Sequence, residues 1–269
     1  MRLPISLLFP LVSVALTGCA TMSSVGTKEA VVDTVTIGSC NPLPCAKVTF
    51  ATLPELPSTF PTSSKATIHL RVDEALYAPL EEGEGPTSRA RFLKELTAQY
   101  DDYLTLKDPH VVVDWQVSRT AFILYANANV VSVVVKSEGF LGGAHGFSEE
   151  SLFVFDGTSG KSFSWDEVIE SSSRGIFERA AEAEFRRARS VPPTQSLQEA
   201  GFTFENEVFA LPTNFALTDK GIVCHYNPYE VGPYVMGATD FTVPMEVVMP
   251  ALRSEIISAL APPPEKKTL

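Results

Sequence analysis

The chain has 269 residues, a formal net charge of −11, 45% hydrophobic and 20% charged residues. So large an acidic surplus argues against nucleic acid as a partner and suits encounter with a cationic one. The length allows one large domain or two small ones, and past the first residues no apolar run is long enough for a membrane-spanning helix.

The chain opens with Met1 and Arg2, an apolar run from Leu3 to Leu16, and then Leu16-Thr17-Gly18-Cys19. A positive charge, a short apolar stretch and small residues before a cleavage point make a secretory leader. An aliphatic residue, a small residue, Gly and Cys make it a lipoprotein leader. The expectation is a signal peptide at residues 1–18, lipidation at Cys19 and an extracytoplasmic protein held to a membrane by acyl chains, each buried CH₂ contributing about 0.8 kcal/mol. Ala20 and Thr21 follow, with no Asp to retain the protein at an inner membrane. In a host with two membranes this predicts the outer membrane, facing the periplasm. Loss of Arg2 with the leader takes the charge from −11 to −12. Residues 19–30 are small and polar and read as a tether.

Val31 to Ile37 and Lys47 to Thr52 are β-branched runs, and Cys40 and Cys45 flank Asn41-Pro42-Leu43-Pro44 between them. In an oxidising compartment this predicts a hairpin closed by a Cys40–Cys45 disulfide. Leu53 to Ser64 carries three prolines and reads as a loop. Thr67 to Val72 alternates Ile68, Leu70 and Val72 and reads as a strand. Thr87 to Leu106 places Phe92, Leu93, Leu96, Tyr100, Tyr103 and Leu104 at helical spacing.

A β region follows. Val111 to Tyr125, Val130 to Lys136, Gly146 to Asp156 and Lys161 to Trp165 read as strands with short connections, hence an antiparallel sheet. Ser164 to Arg189 reads as one helix with a solvated Glu/Arg face, Glu182 paired with Arg186. Phe215 to Thr218 and Ile222 to Tyr226 read as strands, the second burying Cys224 as a free thiol. Val243 to Leu260 reads as a closing helix started by Pro244 and bent or split at Pro250. The predicted fold class is α+β: an antiparallel sheet with helices packed on one side and an N-terminal disulfide hairpin. Its domain spans residues 31–255, with two subdomains at about 31–140 and 141–255 allowed. Residues 256–269, with Pro262-Pro263-Pro264, form a disordered tail.

No metal-ligand spacing joins His69, His110, His145 and His225; no Gly-x-Ser-x-Gly elbow occurs, and nothing implies a cofactor. Gly157 to Ser162 lacks the first glycine of a phosphate loop and reads as a turn. Two segments stand out. Gly142-Gly143-Ala144-His145-Gly146 lets the backbone turn sharply or be approached closely; His145 then either bonds the backbone at a sheet corner or meets a ligand. Tyr226 to Tyr234 is forced into a loop by Pro228, Gly232 and Pro233. Its three tyrosines supply rigid amphipathic surface, or fold back on the core.

Asn127 to Ser132, Gly142 to His145, Phe155 to Lys161 and Phe163 to Ile169 resemble the extracytoplasmic family shared by the wall deacetylase PdaC and the anti-sigma factor RsiV (domain of unknown function 3298, with the PdaC-type domain of unknown function 4163). Phe215 to Gly221, Asn227-Pro228-Tyr229-Glu230, Pro233-Tyr234 and Gly237 resemble its C-terminal signature. The resemblance covers roughly residues 30–255. It implies a non-catalytic module: in the anti-sigma member it binds lysozyme, and in the deacetylase it accompanies a separate catalytic domain. The deacetylase's Asp-Asp and His-x-x-x-His motifs are missing here, as is a cytoplasmic sigma-binding part.

The leading expectation is therefore a cell-envelope lipoprotein whose domain binds a wall-associated protein or glycan such as a lysozyme-like muramidase or peptidoglycan. The candidate binding residues are His145, Tyr229, Glu230 and Tyr234; no catalytic residue is assigned. One alternative is a cell-wall hydrolase or deacetylase-type enzyme using His145. Another is a structural envelope lipoprotein.

Overall fold

The computed structural model describes residues 30–41, 44–80, 88–107 and 111–261. The expected leader, Cys19 and nearly all of the tether lie outside the described residues, as do residues 262–269 of the expected tail.

Five strands form the first sheet in the order β1 (Val32–Ile37), β2 (Ala46–Ala51), β3 (Trp115–Ala126), β4 (Val130–Phe140) and β5 (Phe147–Asp156). β1 and β2 are the hairpin, and the Cys40–Cys45 disulfide closes it. β2 and β3 pair in parallel, Ala46 opposite Trp115, where the sequence led us to expect antiparallel neighbours. The cause is the connection between them, which holds two helices and brings the chain back to the end it left.

The first of those helices, α1 (Thr62–Leu76), replaces the strand expected at Thr67 to Val72. Its buried residues are Ser64, Ile68, Val72 and Leu76, one every four positions, while Leu70 stays 64% exposed. Period four, not period two, decided the element. The second, α2 (Arg89–Leu106), falls where periodicity put it and buries Phe92, Leu96, Tyr100 and Tyr103. Both cover the same face of the sheet. Val48, Phe50, Val117, Val131, Val133 and Val135 supply the floor of that core.

β4 and β5 are neighbours, so the first sheet runs through the 140/141 boundary allowed for two subdomains. The strand expected at Lys161 to Trp165 is reduced to one bridge, Phe155 to Ser162. Between them Asp156 Oδ1 accepts the Thr158 and Ser159 amides, which makes the glycine-flanked stretch a tight turn.

The helix expected from Ser164 to Arg189 is broken in two: α3 (Trp165–Val168) and, after a 3₁₀ turn, α4 (Arg174–Ala188). α3 opens with a capping box of Ser164 and Glu167. The break occurs because Ile169 is extended and bridges Leu252, and the Glu170 amide bonds the Ala251 carbonyl. α4 buries Phe177, Ala181 and Phe185 and turns its charges outward, with Arg186 paired to Glu182 at 2.7 Å.

A second sheet, β6 (Asn214–Thr218), β7 (Gly221–Tyr226) and β8 (Thr239–Pro244), packs its Ile222, Cys224, Tyr226, Phe241 and Val243 against α4. β8 was not expected; its alternating burial ends at Pro244, where a helix was predicted to begin. The closing helix is split as its proline demanded, into α5 (Met245–Val248), a 3₁₀ turn over Met249–Ala251, and α6 (Ser254–Leu260). Residues 256–260, assigned to the tail, are helical. Cys224 is a buried free thiol, and burial pushes its pKa up. The chain is a mixed α+β fold with a mostly antiparallel five-stranded sheet.

Candidate functional site

β5 is one of the two outer strands of the first sheet, so its outward amides and carbonyls need partners. Side chains of the second sheet supply them. Asn214, at the start of β6, accepts the Leu152 amide on Oδ1 at 3.1 Å. Asn227, just past β7, grips Glu150 at both ends: Oδ1 accepts its amide at 2.7 Å, and Nδ2 donates to its carbonyl at 2.9 Å. At the start of β5, the Tyr234 hydroxyl donates to the Gly146 carbonyl at 2.7 Å.

These contacts bring together the two loops singled out from sequence. The glycine-rich turn joins β4 to β5. At Gly142, φ is +71° and a Cβ would lie 2.6 Å from the Tyr103 hydroxyl; at Gly146 a Cβ would lie 2.7 Å from the Gly139 carbonyl. Both positions exclude a side chain. His145, exposed at the turn, has its Nδ1 2.8 Å from the Gly146 carbonyl, to which it donates. Its ring stacks on Tyr234, centroids 4.0 Å apart and planes 21° apart. Tyr229 lies 5.4 Å from Tyr234 on an αL backbone, φ +73°, and is 66% exposed. His145, Tyr234 and Tyr229 thus form a continuous aromatic run built from two loops.

Glu230 does not join that run. Its carboxylate accepts the backbone N–H of Asn227 and closes the Asn227–Glu230 turn, which is what holds Tyr229 in place. The far end of the tyrosine loop is fixed by Arg189 at the end of α4. It donates to the carbonyls of Met236 at 2.8 Å and Ala238 at 3.4 Å and lies over Phe202. A concavity of about 530 Å³ beside this turn is lined by Arg189, Ser190, Gln195, Glu199, Phe202 and Met236, and takes in none of the four residues picked from sequence.

Sequence reasoning missed Asn214 and Asp240, and named Asn227 and His225 without giving either a role. His225 on β7 is buried, with Nδ1 2.7 Å from Asp240 Oδ1 and Nε2 3.0 Å from Asn227 Oδ1. Burial alone would push its pKa down. The hydrogen bonds to Asp240 and Asn227, with the charges of Asp240 and Glu150, outweigh it and hold the imidazole above its ordinary value. The available signal was a histidine two residues before an asparagine at a strand end. Reading it required β8, which supplies Asp240.

Chemically, the site offers ring faces, a tyrosine hydroxyl and an imidazole edge. His145's neighbours are the Gly146 carbonyl and the Tyr234 ring. No group of three His, Cys, Asp or Glu arranged to hold a metal is present among the described residues.

A five-stranded sheet backed by two helices and stitched along its edge to a three-stranded sheet backed by a third defines a two-sheet α+β module. Residues 168–246, from the last residue of α3 into α5 and including the tyrosine loop, match the family model described as "Protein of unknown function (DUF3298)". The fold is similar to the crystal structure of a DUF3298 family member from Bacteroides fragilis, with 17% identity and a TM-score of 0.66, covering 86% of this chain and 96% of that one. It is also similar to that of a DUF3298 family protein from Pseudomonas aeruginosa, with 17% identity and a TM-score of 0.60, covering 85% and 94%. No curated protein matches the chain.

Proposed function

We propose that this chain is an envelope lipoprotein, acylated at Cys19, whose domain binds a wall-associated protein or glycan without acting on it. The observation that carries the reading is the meeting of the two loops in an aromatic run of His145, Tyr234 and Tyr229 that faces solvent. Exposed stacked rings held by backbone contacts are rigid, and little ordering entropy is lost when a partner covers them. The Cys40–Cys45 disulfide fits an extracytoplasmic compartment. No helix among the described residues is long and apolar enough to cross a membrane, and attachment through lipid requires none.

The resemblance to the RsiV and PdaC extracytoplasmic family makes lysozyme-like muramidases the first partners to try, with peptidoglycan fragments second. Such enzymes are often basic, and a net charge of −11 speeds their encounter. The test is calorimetric titration of the chain against lysozyme and against soluble wall fragments, with Tyr229→Ala beside the parent protein. Binding that Tyr229→Ala weakens tenfold or more supports the reading. Heat from neither titrant, or equal binding by the variant, removes it.

A further inference from the structure

The Glu150 backbone dictates which end of the Asn227 amide is oxygen. Nδ2 must face the Glu150 carbonyl and Oδ1 the Glu150 amide. That same Oδ1 lies 3.0 Å from Nε2 of His225 and can only accept. On the other side of the ring, Nδ1 faces a carboxylate oxygen of Asp240 at 2.7 Å. Both ring nitrogens therefore meet acceptors, and both must carry hydrogen. A neutral ring would set a lone pair against one of the two oxygens. Rotating the Asn227 amide to relieve this would turn both contacts with Glu150 repulsive.

We propose that His225 is a positioning residue of the aromatic surface: as an imidazolium clamped between Asp240 and Asn227, it fastens the segment bearing Tyr229 to β5, and losing its proton releases that segment. The functional part of this rests on the reading that the surface binds a partner; the clamp itself does not.

The surroundings keep the charge tolerable. Asp240 on β8 and Asn214 on β6 flank His225 in register on the same face. From β5, Glu150 adds a carboxylate, which lies 4.0 Å from the Lys136 ammonium on β4; Lys136 also pairs with Glu138 at 2.8 Å. From the loop, the Glu230 carboxylate accepts the backbone N–H of Asn227. Of the side-chain types gathered here, imidazole is the one whose ordinary value lies near neutrality. His145 is a second imidazole and belongs to the aromatic run, so it must be controlled. His145→Phe keeps a ring to stack and removes its proton.

The clamp is read without any ligand. In the full chain carrying His145→Phe, ¹⁵N NMR follows both nitrogens of His225 from pH 5 to 10, and hydrogen exchange follows the Glu150 amide. The expected result is an imidazolium at pH 6 and a midpoint above that of a free histidine. Above that midpoint, Glu150 exchange accelerates at least tenfold beyond the base-catalysed trend. Asp240→Asn, at an exposed position, should lower the midpoint by about a unit and move the onset of exchange with it. His225→Gln should leave Glu150 fast-exchanging at every pH. A neutral ring at pH 6, or Glu150 protection indifferent to the titration, overturns the proposal. Lysozyme titrations at pH 6 and pH 9 then add the functional arm. Affinity that falls about tenfold with the midpoint ties clamp to surface. Binding with no pH dependence in the His145→Phe chain counts against His225 as a positioning residue. Absence of binding at both pH values in the parent chain, with the clamp intact, refutes the binding function alone.

Discussion

Tyr234 and His145 donate to the same acceptor, the Gly146 carbonyl, while their rings stack 4.0 Å apart. The two residues come from loops far apart in the chain, and one backbone oxygen fixes their relation. The hydroxyl and the ring face of Tyr234 should be separable. Tyr234→Phe removes one neutral hydrogen bond and, if the aromatic run is the binding surface proposed above, should cost about 1 kcal/mol of partner binding. Tyr234→Ala also removes the face between the other two rings and should cost at least twice that. Calorimetry on both variants checks this, and equal losses would assign no role to the stack.

Asn214 carries the other seam between the sheets. Asn214→Ala leaves the half-buried Leu152 amide without its acceptor. The expected loss of stability is about 1–3 kcal/mol, read as a lower urea midpoint with an unchanged slope.

Phe185 on α4 is fully buried and meets Phe202, Phe204, Phe209, Tyr226 and Phe241 at ring-centroid distances of 4.9 to 5.9 Å. Phe185→Ala should destabilise the protein by about 3–5 kcal/mol. By contrast, Ile176 on the same helix is 64% exposed, and Ile176→Ala should shift stability by less than about 0.5 kcal/mol. Thermal melts of the pair test where the helix's buried stripe lies.

Replacing Cys40 and Cys45 together by Ser should lower stability by about 2 kcal/mol, the entropy of closing a loop this short. Reducing agent should reproduce the loss in the parent protein, because Cys224 is buried and its thiol pKa is raised. A parent protein indifferent to reduction would contradict the assigned pairing.

The pH dependence of stability has a definite sign. His225 has a folded-state pKa above its ordinary value of about 6.5. Its stabilising contribution is complete below that value and disappears as pH rises through the folded-state pKa. Glu167 behaves oppositely. The Lys161 ammonium and the Ser164 amide and hydroxyl hold its carboxyl down at about 2, so its contribution is present above about 4.5 and disappears as pH falls toward 2. Melting temperatures from pH 3 to 9 should fall at both ends. Asp240→Asn should flatten the alkaline side and Glu167→Gln the acid side.

Much of the fold was legible because local periodicity matched burial. The buried stripe of α2 and the β-branched runs of β3 and β4 were plain. Where it failed, a short pattern satisfied two periods. Ile68, Leu70 and Val72 alternate, but Ser64, Ile68, Val72 and Leu76 also step by four, and packing on β4 chose between them. Ile169 broke a helix because its backbone pairs with Leu252, a partner 83 residues on. Such non-local pairing leaves no local mark. The same holds for the site. Both loops were recognisable from Gly, Pro and Tyr, while their meeting depends on hydrogen bonds spanning 77 and 88 residues. Glu230 was legible as part of the loop but turned out to brace its turn.

The asparagine seam along β5 has a consequence for how copies of this chain behave when crowded. An outer strand with free amides is a template for a neighbour's backbone, the first step toward runaway pairing. Here those groups at Leu152 and Glu150 are already taken by amide side chains, which cannot propagate the way a strand does. The molecule thereby blunts that one border without the lysines or prolines that other sheets use, so a second copy finds the Leu152 and Glu150 positions of β5 already occupied.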